Sequence, residues 1–147
     1  MVEARGDAPE VWEFASHGWL LALERKIDDL LTAAASQANW SFCEVFTDVP
    51  AHLACGKGSR IAWACRIVDG KARFAEGECD EVDLKTTGDY AYLLPLSRWR
   101  IDEKTRSALG AYLDAGVREG KITRIGDPSA MPPELATLHN AVVDFTR

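Results

Sequence analysis

Hydrophobic residues change their spacing repeatedly along this chain, and each change predicts an element. From Ser16 to Ala38, Leu20, Leu23, Ile27, Leu30, Leu31 and Ala34 recur at steps of three and four. Glu24, Lys26, Asp28 and Asp29 take other positions, the pattern of an amphipathic helix with Ser16 as its N-cap. Asn39 to Asp48 then alternates: Trp40, Phe42 and Phe46 fall on one side, Cys43 and Val45 on the other. Apolar groups on both sides predict a strand covered on both faces. Pro50 ends it, and 51–59, with Gly56 and Gly58, reads as a loop.

Arg60 to Val68 and Lys71 to Ala75 alternate on either side of Asp69-Gly70. That dipeptide is a strong hairpin signal, because both central positions of a tight two-residue turn need positive φ. The turn sets the register, with Val68 opposite Lys71, Arg66 opposite Arg73, Cys65 opposite Phe74 and Trp63 opposite Glu76. Ile61, Trp63, Cys65, Ile67, Ala72 and Phe74 form the core face. A third strand, Val82 to Thr87, leads into a helix capped by Asp89 that Pro95 limits to little more than a turn. Asp102 caps a longer helix reaching Glu119, with Leu109, Tyr112, Leu113 and Val117 on its buried stripe and Gly120 at C′. Lys121 to Ile125 is a short strand, and Pro132-Pro133 opens a last helix with stripe Leu135, Leu138, Val142 and Phe145. The expected fold class is α+β: one domain over 13–147 behind a short tail at 1–12. A curved, mostly antiparallel sheet of about five strands carries helices on one face.

A chain of 147 residues with 47% hydrophobic and 27% charged content suits one such domain. Net charge −6, with a pI near 5.1, argues against nucleic acid as a partner and against an anionic membrane surface. No run approaches transmembrane length and no signal-peptide core is seen, so stable membrane insertion is not expected and the expected compartment is the cytoplasm. Cys43, Cys55, Cys65 and Cys79 form no C-x-x-C pair, so buried free thiols are expected, with no metal and no cofactor.

In this order and spacing, Asp69-Gly70-Lys71-Ala72, the strand Val82-Asp83-Leu84-Lys85-Thr86-Thr87 running into a helix, and Gly120-Lys121-Ile122-Thr123-Arg124-Ile125-Gly126-Asp127 resemble the sterol carrier protein type-2 (nonspecific lipid-transfer) family. The likeness spans about Phe42 to Asp127. It implies a five-stranded sheet with helices on one side and an apolar tunnel for fatty acyl chains, acyl-CoA or sterol-like molecules. Ser97-Arg98-Trp99-Arg100 departs from the small-residue turn usual there, and the segment after Pro132 departs from the usual lipid-covering tail.

The ligand-binding residues expected on this basis are Trp40, Phe42, Phe46, Trp63, Phe74, Tyr90, Leu94 and Trp99, walling an apolar cavity or simply filling the core. Tyr90, Arg98 and Arg100 are candidates for polar groups at its mouth. The leading reading is a carrier of an apolar small molecule or acyl chain, with a homodimer possible. The alternative is a small acid–base enzyme of isomerase, hydratase or cyclase type. It would use Glu76, which the register sets opposite Trp63 unless a bulge at Gly77 turns it outward, or His52, in the loop after Pro50. A module that only oligomerises, its aromatics packed without a void, is the third. Arg66 and Arg73, opposed across the hairpin, need an acid, an anionic ligand group or solvent screening.

Overall fold

The structure, a computed structural model, describes residues 10–54 and 59–147, so part of the expected tail and of the 51–59 loop, including Cys55, lies outside it. Helix α1 (His17–Ala33) is capped by Ser16, whose hydroxyl accepts the Trp19 amide, and buries Trp19, Leu23, Ile27 and Leu31. It stops short of the expected Ala38. Ala35 takes a left-handed φ of 49°, and the Ser36 amide donates back to the Leu31 carbonyl at 3.0 Å. The Ser36 hydroxyl, hydrogen-bonded to Glu134 and to the Ala38 amide, then leads the chain into strand β1 (Trp40–Thr47).

A short helix α2 (Ala51–Ala54) follows, inside the segment expected to be loop. Strands β2 (Ile61–Val68) and β3 (Lys71–Glu76) form the hairpin in the expected register, Cys65 to Phe74 included. Asp69 and Gly70 have φ of 49° and 78°, as a two-residue turn of this hand requires. The turn is held against the end of α1: the Gly70 amide donates to the Ala38 carbonyl at 2.9 Å and the Asp69 amide to Asn39 Oδ1 at 3.0 Å. Arg66 and Arg73 are opposed on the exposed face, where Arg66 donates to the Glu81 carbonyl at 2.9 Å.

Strand β4 (Leu84–Asp89) runs straight into α3 (Tyr90–Leu93), with the Asp89 carboxylate accepting the Tyr92 amide at 3.1 Å. Pro95 lies in the 3-10 turn Leu94–Arg98 that closes α3 after one turn. Asp102 accepts the Lys104 and Thr105 amides, but in a turn that precedes the next helix, so α4 (Arg106–Arg118) starts later than expected. Its buried positions are Leu109 and Gly116, while Val117, expected on the stripe, is 49% exposed. A Cβ at Gly116 would lie 2.6 Å from the Tyr92 ring, which brings α4 close to α3. Strand β5 (Ile122–Gly126) follows, and Pro133–Leu135 forms a 3-10 turn, so helix α5 (Leu138–Phe145) begins after the expected start. Trp12 bridges to Thr146, tying the first described residues to the last.

The sheet order is β3-β2-β1-β4-β5, an open five-stranded sheet in which β1 and β4 pair in parallel and the other neighbours antiparallel. This is the expected α+β class, with a mixed sheet. Central β1 is buried on both faces, Val45 and Cys43 on the outer side and Trp40, Phe42 and Phe46 toward the helices. The outer face is closed by the 77–83 segment: Asp83 accepts the Ser41 amide at 2.8 Å, and Lys85 pairs with Glu78 and Asp80. The core therefore sits between the sheet and the helices, and the cavity described next opens in the same layer.

Candidate functional site

Side chains on alternate positions of β1 and β2 project toward the helices, so Trp40, Phe42, Phe46 and Trp63 form one aromatic wall. Leu84 and Thr86 of β4 and Ile122 and Arg124 of β5 extend that wall. Phe14, Trp19 and Leu23 close one side. Leu93, Leu96, Leu109 and Leu113 close another, and Leu135, Leu138, His139 and Val142 a third. Between them is an open-sided, mostly apolar cavity of about 360 Å³, at the small end of the range for ligand sites (roughly 300–1,000 Å³). Aromatic contacts stiffen the wall: Trp40 stacks on Phe42 at 4.9 Å, and Phe42 meets Trp63 edge-on at 5.1 Å.

The structure thus brings Trp40, Phe42, Phe46 and Trp63 together and leaves the other four expected ligand-binding residues outside the lining. Phe74 stacks behind Trp63, 5.2 Å between centroids, as a second layer on edge strand β3. Tyr90 is buried and donates its hydroxyl to the Phe14 carbonyl at 3.1 Å. Leu94 packs on the core from the 3-10 turn. Trp99 lies edge-on to Tyr112, and its carbonyl accepts His139 Nε2 at 2.7 Å. Arg98 donates to the Arg147 carbonyl and Arg100 pairs with Asp144, so neither Arg98, Arg100 nor Tyr90 lines the cavity.

Of the two candidate acids and bases, neither reaches the cavity. Glu76 is exposed at the end of β3: it keeps its regular pairing opposite Trp63 and the Gly77 amide continues the ladder to the Ala62 carbonyl at 2.9 Å, so its place at the end of an edge strand, and not a bulge, leaves it exposed. His52 is on the surface, its ring 2.8 Å from Glu13.

Another carboxyl does reach it. Glu44 lies between Phe42 and Phe46 on the helix-facing side of β1 and is the only acid lining the cavity among the described residues. Desolvation pushes its pKa up to about 7, against a smaller opposing pull from the Arg124 charge. The sheet register explains that pull: Glu44 is opposite Thr86 on β4, and Thr86 is opposite Arg124 on β5. On the other side Glu44 is opposite Trp63. A row of Trp63, Glu44, Thr86 and Arg124 therefore crosses the cavity wall, buried at Trp63 and exposed at Arg124. His139 adds a further polar group; since a carbonyl only accepts, its bond to Trp99 puts the proton on Nε2.

The sequence matches no protein-family model and no curated protein. Solved structures do match. The solution structure of a conserved hypothetical protein from Thermus thermophilus, possibly sterol carrier protein, superposes with a TM-score of 0.52 at 17% identity, over 92% of this chain and 91% of that one. Sterol carrier protein domain 2 of Helicoverpa armigera gives 0.53 at 12% identity over 89% and 90%. A crystal structure of sterol carrier protein 2 gives 0.50 at 18% identity over 89% and 95%. The chain has the sterol carrier protein 2 fold. The resemblance read from the hairpin, the β4–α3 junction and β5 agrees with this at the level of architecture. Among the described residues there is no helix long and apolar enough to cross a membrane, and no cluster of His, Cys, Asp and Glu able to hold a metal ion. Cys43 and Cys65 are buried free thiols, and burial pushes the Cys65 thiol up to about 12.

Proposed function

We propose that this protein is a carrier that holds an apolar ligand, a fatty acyl chain or a sterol-like or terpenoid molecule, between its sheet and its helices. The observation that carries the reading is the 360 Å³ cavity walled by aromatic and aliphatic side chains of both layers. Removing apolar ligand surface from water there contributes about 25 cal/mol per Å², offset by the ordering costs of association. In this reading the protein works in the cytoplasm, and Arg124 is the charged group at the open side of the cavity.

An apolar fluorescent probe is expected to bind the purified protein with micromolar or better affinity and to be displaced by fatty acids. Trp63→Ala, which removes a central part of the wall, weakens that binding. The truncation also costs about 3–5 kcal/mol of stability, so unfolding is measured in parallel. A folded Trp63→Ala protein that binds the probe as tightly as the parent overturns the assignment of the ligand to this cavity. Glu44 gives the alternative reading, acid–base catalysis on an apolar substrate, a carboxyl inside the cavity that Glu76 and His52 do not supply. Glu44→Gln separates the two: a carrier keeps its probe, whereas an enzyme loses about 10²–10⁴ in rate.

A further inference from the structure

An apolar cavity that only sheltered a hydrocarbon would gain nothing from a carboxyl in the middle of its wall. Glu44 has Phe42 and Phe46 on either side along β1, Trp63 on one neighbouring strand and Thr86 on the other, all lining residues. Among the described residues its carboxyl makes no hydrogen bond and no direct ion pair; Arg124 acts on it only from two strands away, about 10 Å at ~4.8 Å per strand. The indole N–H groups of Trp40 and Trp63 are also buried without a partner. A buried polar group left unpaired is costly, about 1–3 kcal/mol, and here two such indoles share the wall with a half-buried carboxyl that also makes no hydrogen bond.

We propose that the cavity selects an amphiphile carrying an uncharged hydroxyl or keto oxygen part-way along its apolar body, and that Glu44 is the residue that selects it. The inference rests on the carrier reading above and names its ligand class. The surroundings exclude a charge on the ligand at this point. A cation beside Glu44 would face Arg124 on the same row and could use neither indole donor. An anion would face the Glu44 carboxyl itself. A neutral oxygen fits Glu44 in either state, accepting from the protonated carboxyl or donating, as a hydroxyl, to the ionised one.

The titratable groups around Glu44 are few. Arg124 faces it from β5 and His139 lines the cavity from α5, while α1, α4 and the 94–98 turn contribute apolar residues and Ser97. Cys43 neighbours it on β1, and Glu76 is exposed beyond Trp63 at the far end of the row. Glu44 is therefore the group whose ionisation changes what the mid-wall offers. A neutral carboxyl both donates and accepts, so it takes a keto or a hydroxyl oxygen. A carboxylate only accepts, so it takes the hydroxyl alone.

The test compares tetradecanoic acid with its 7-hydroxy and 7-oxo derivatives by titration calorimetry on the full chain, at pH 6 and pH 8.5. For the parent, both derivatives are expected to bind at least about tenfold tighter than the plain acid at pH 6, the worth of one hydrogen bond to a buried partner. At pH 8.5 the hydroxy derivative keeps that advantage and the oxo derivative loses it. Glu44→Gln, whose amide donates and accepts at every pH, keeps both preferences without the pH change. Glu44→Leu brings all three acids to within about twofold of each other. If the plain acid binds the parent as tightly as its derivatives, the inference falls and the carrier reading stands. If a folded Glu44→Leu protein retains the tenfold preference, selection belongs elsewhere and the role of Glu44 is refuted. If none of the three acids binds, the ligand class named here is refuted, and the fluorescent-probe assay above decides the carrier reading separately.

Discussion

Glu44 also makes a prediction about the protein without any ligand. Its pKa is raised from 4.5 to about 7 by burial in an apolar wall, so between those values the folded protein holds a proton that the unfolded chain has released. Stability then falls as pH rises through this window and levels off above it. The interval is about 2.5 pH units at ~1.36 kcal/mol each, which makes the ionised carboxylate cost about 3 kcal/mol at pH 8. Glu44→Gln keeps the shape and removes the titration. Its stability relative to the parent should be near zero at pH 4.5 and rise to about 3 kcal/mol in favour of the variant at pH 8, a shift of about 6–12 °C in midpoint for a domain of this size. Urea unfolding of both proteins from pH 4.5 to 8.5 measures the difference. Carboxylates held below their ordinary range, such as Asp102 by the Thr105 and Lys104 amides and Glu134 by Ser36, titrate identically in both proteins and cancel. Parallel profiles for parent and variant would refute the reasoning, because they would mean that Glu44 titrates as if in water.

Two further outcomes test the frame around the cavity. Gly70→Ala should destabilise the fold by well over the roughly 1 kcal/mol of an ordinary Gly-to-Ala change at positive φ, since φ is 78° and the added Cβ would lie 1.9 Å from the Ser36 carbonyl oxygen; denaturant unfolding reads this directly. In a Cys55→Ser background, a thiol reagent should modify half-buried Cys79 first and Cys65 last, because Cys65 is fully buried and its thiolate is strongly disfavoured; rapid labelling of Cys65 in the native state contradicts its placement.

Local rules made the hairpin legible. An Asp-Gly dipeptide between alternating runs leaves one register, and the pairing of Cys65 with Phe74 follows from counting. Asp89 as a cap and Pro95 as a stop are equally local. What could not be read this way depends on distant partners. The end of α1 is set by Ser36, whose hydroxyl bonds to Glu134 across the fold. Residues 94–100 lie beyond the regular helix, which ends at Leu93, so no periodicity tells which of Leu94, Leu96, Arg98 and Trp99 faces inward; the structure puts Leu96 and Ser97 in the lining. Phe74 does face the core side, as alternation says, but β3 is an edge strand and its ring is spent behind Trp63.

Glu44 is the instructive omission, because its signal was present. Strict alternation along β1 puts position 44 on the same face as 40, 42 and 46, so three aromatic neighbours already marked it as an acid on the core side. The hairpin points to Glu76 by the same logic, yet Glu76 lies at the end of the edge strand and is exposed. An acid's position within the sheet, central or marginal, decides whether alternation buries it, and strand order is not a local property. Arg124 shows the same limit more sharply. It shares a row with Glu44 only because β4 crosses over to pair in parallel with β1 and carries β5 beyond it, a connection that no periodicity in either strand encodes. The polar row is thus a product of topology acting on residues whose faces were individually predictable, and its chemistry exists only once the five strands are in order.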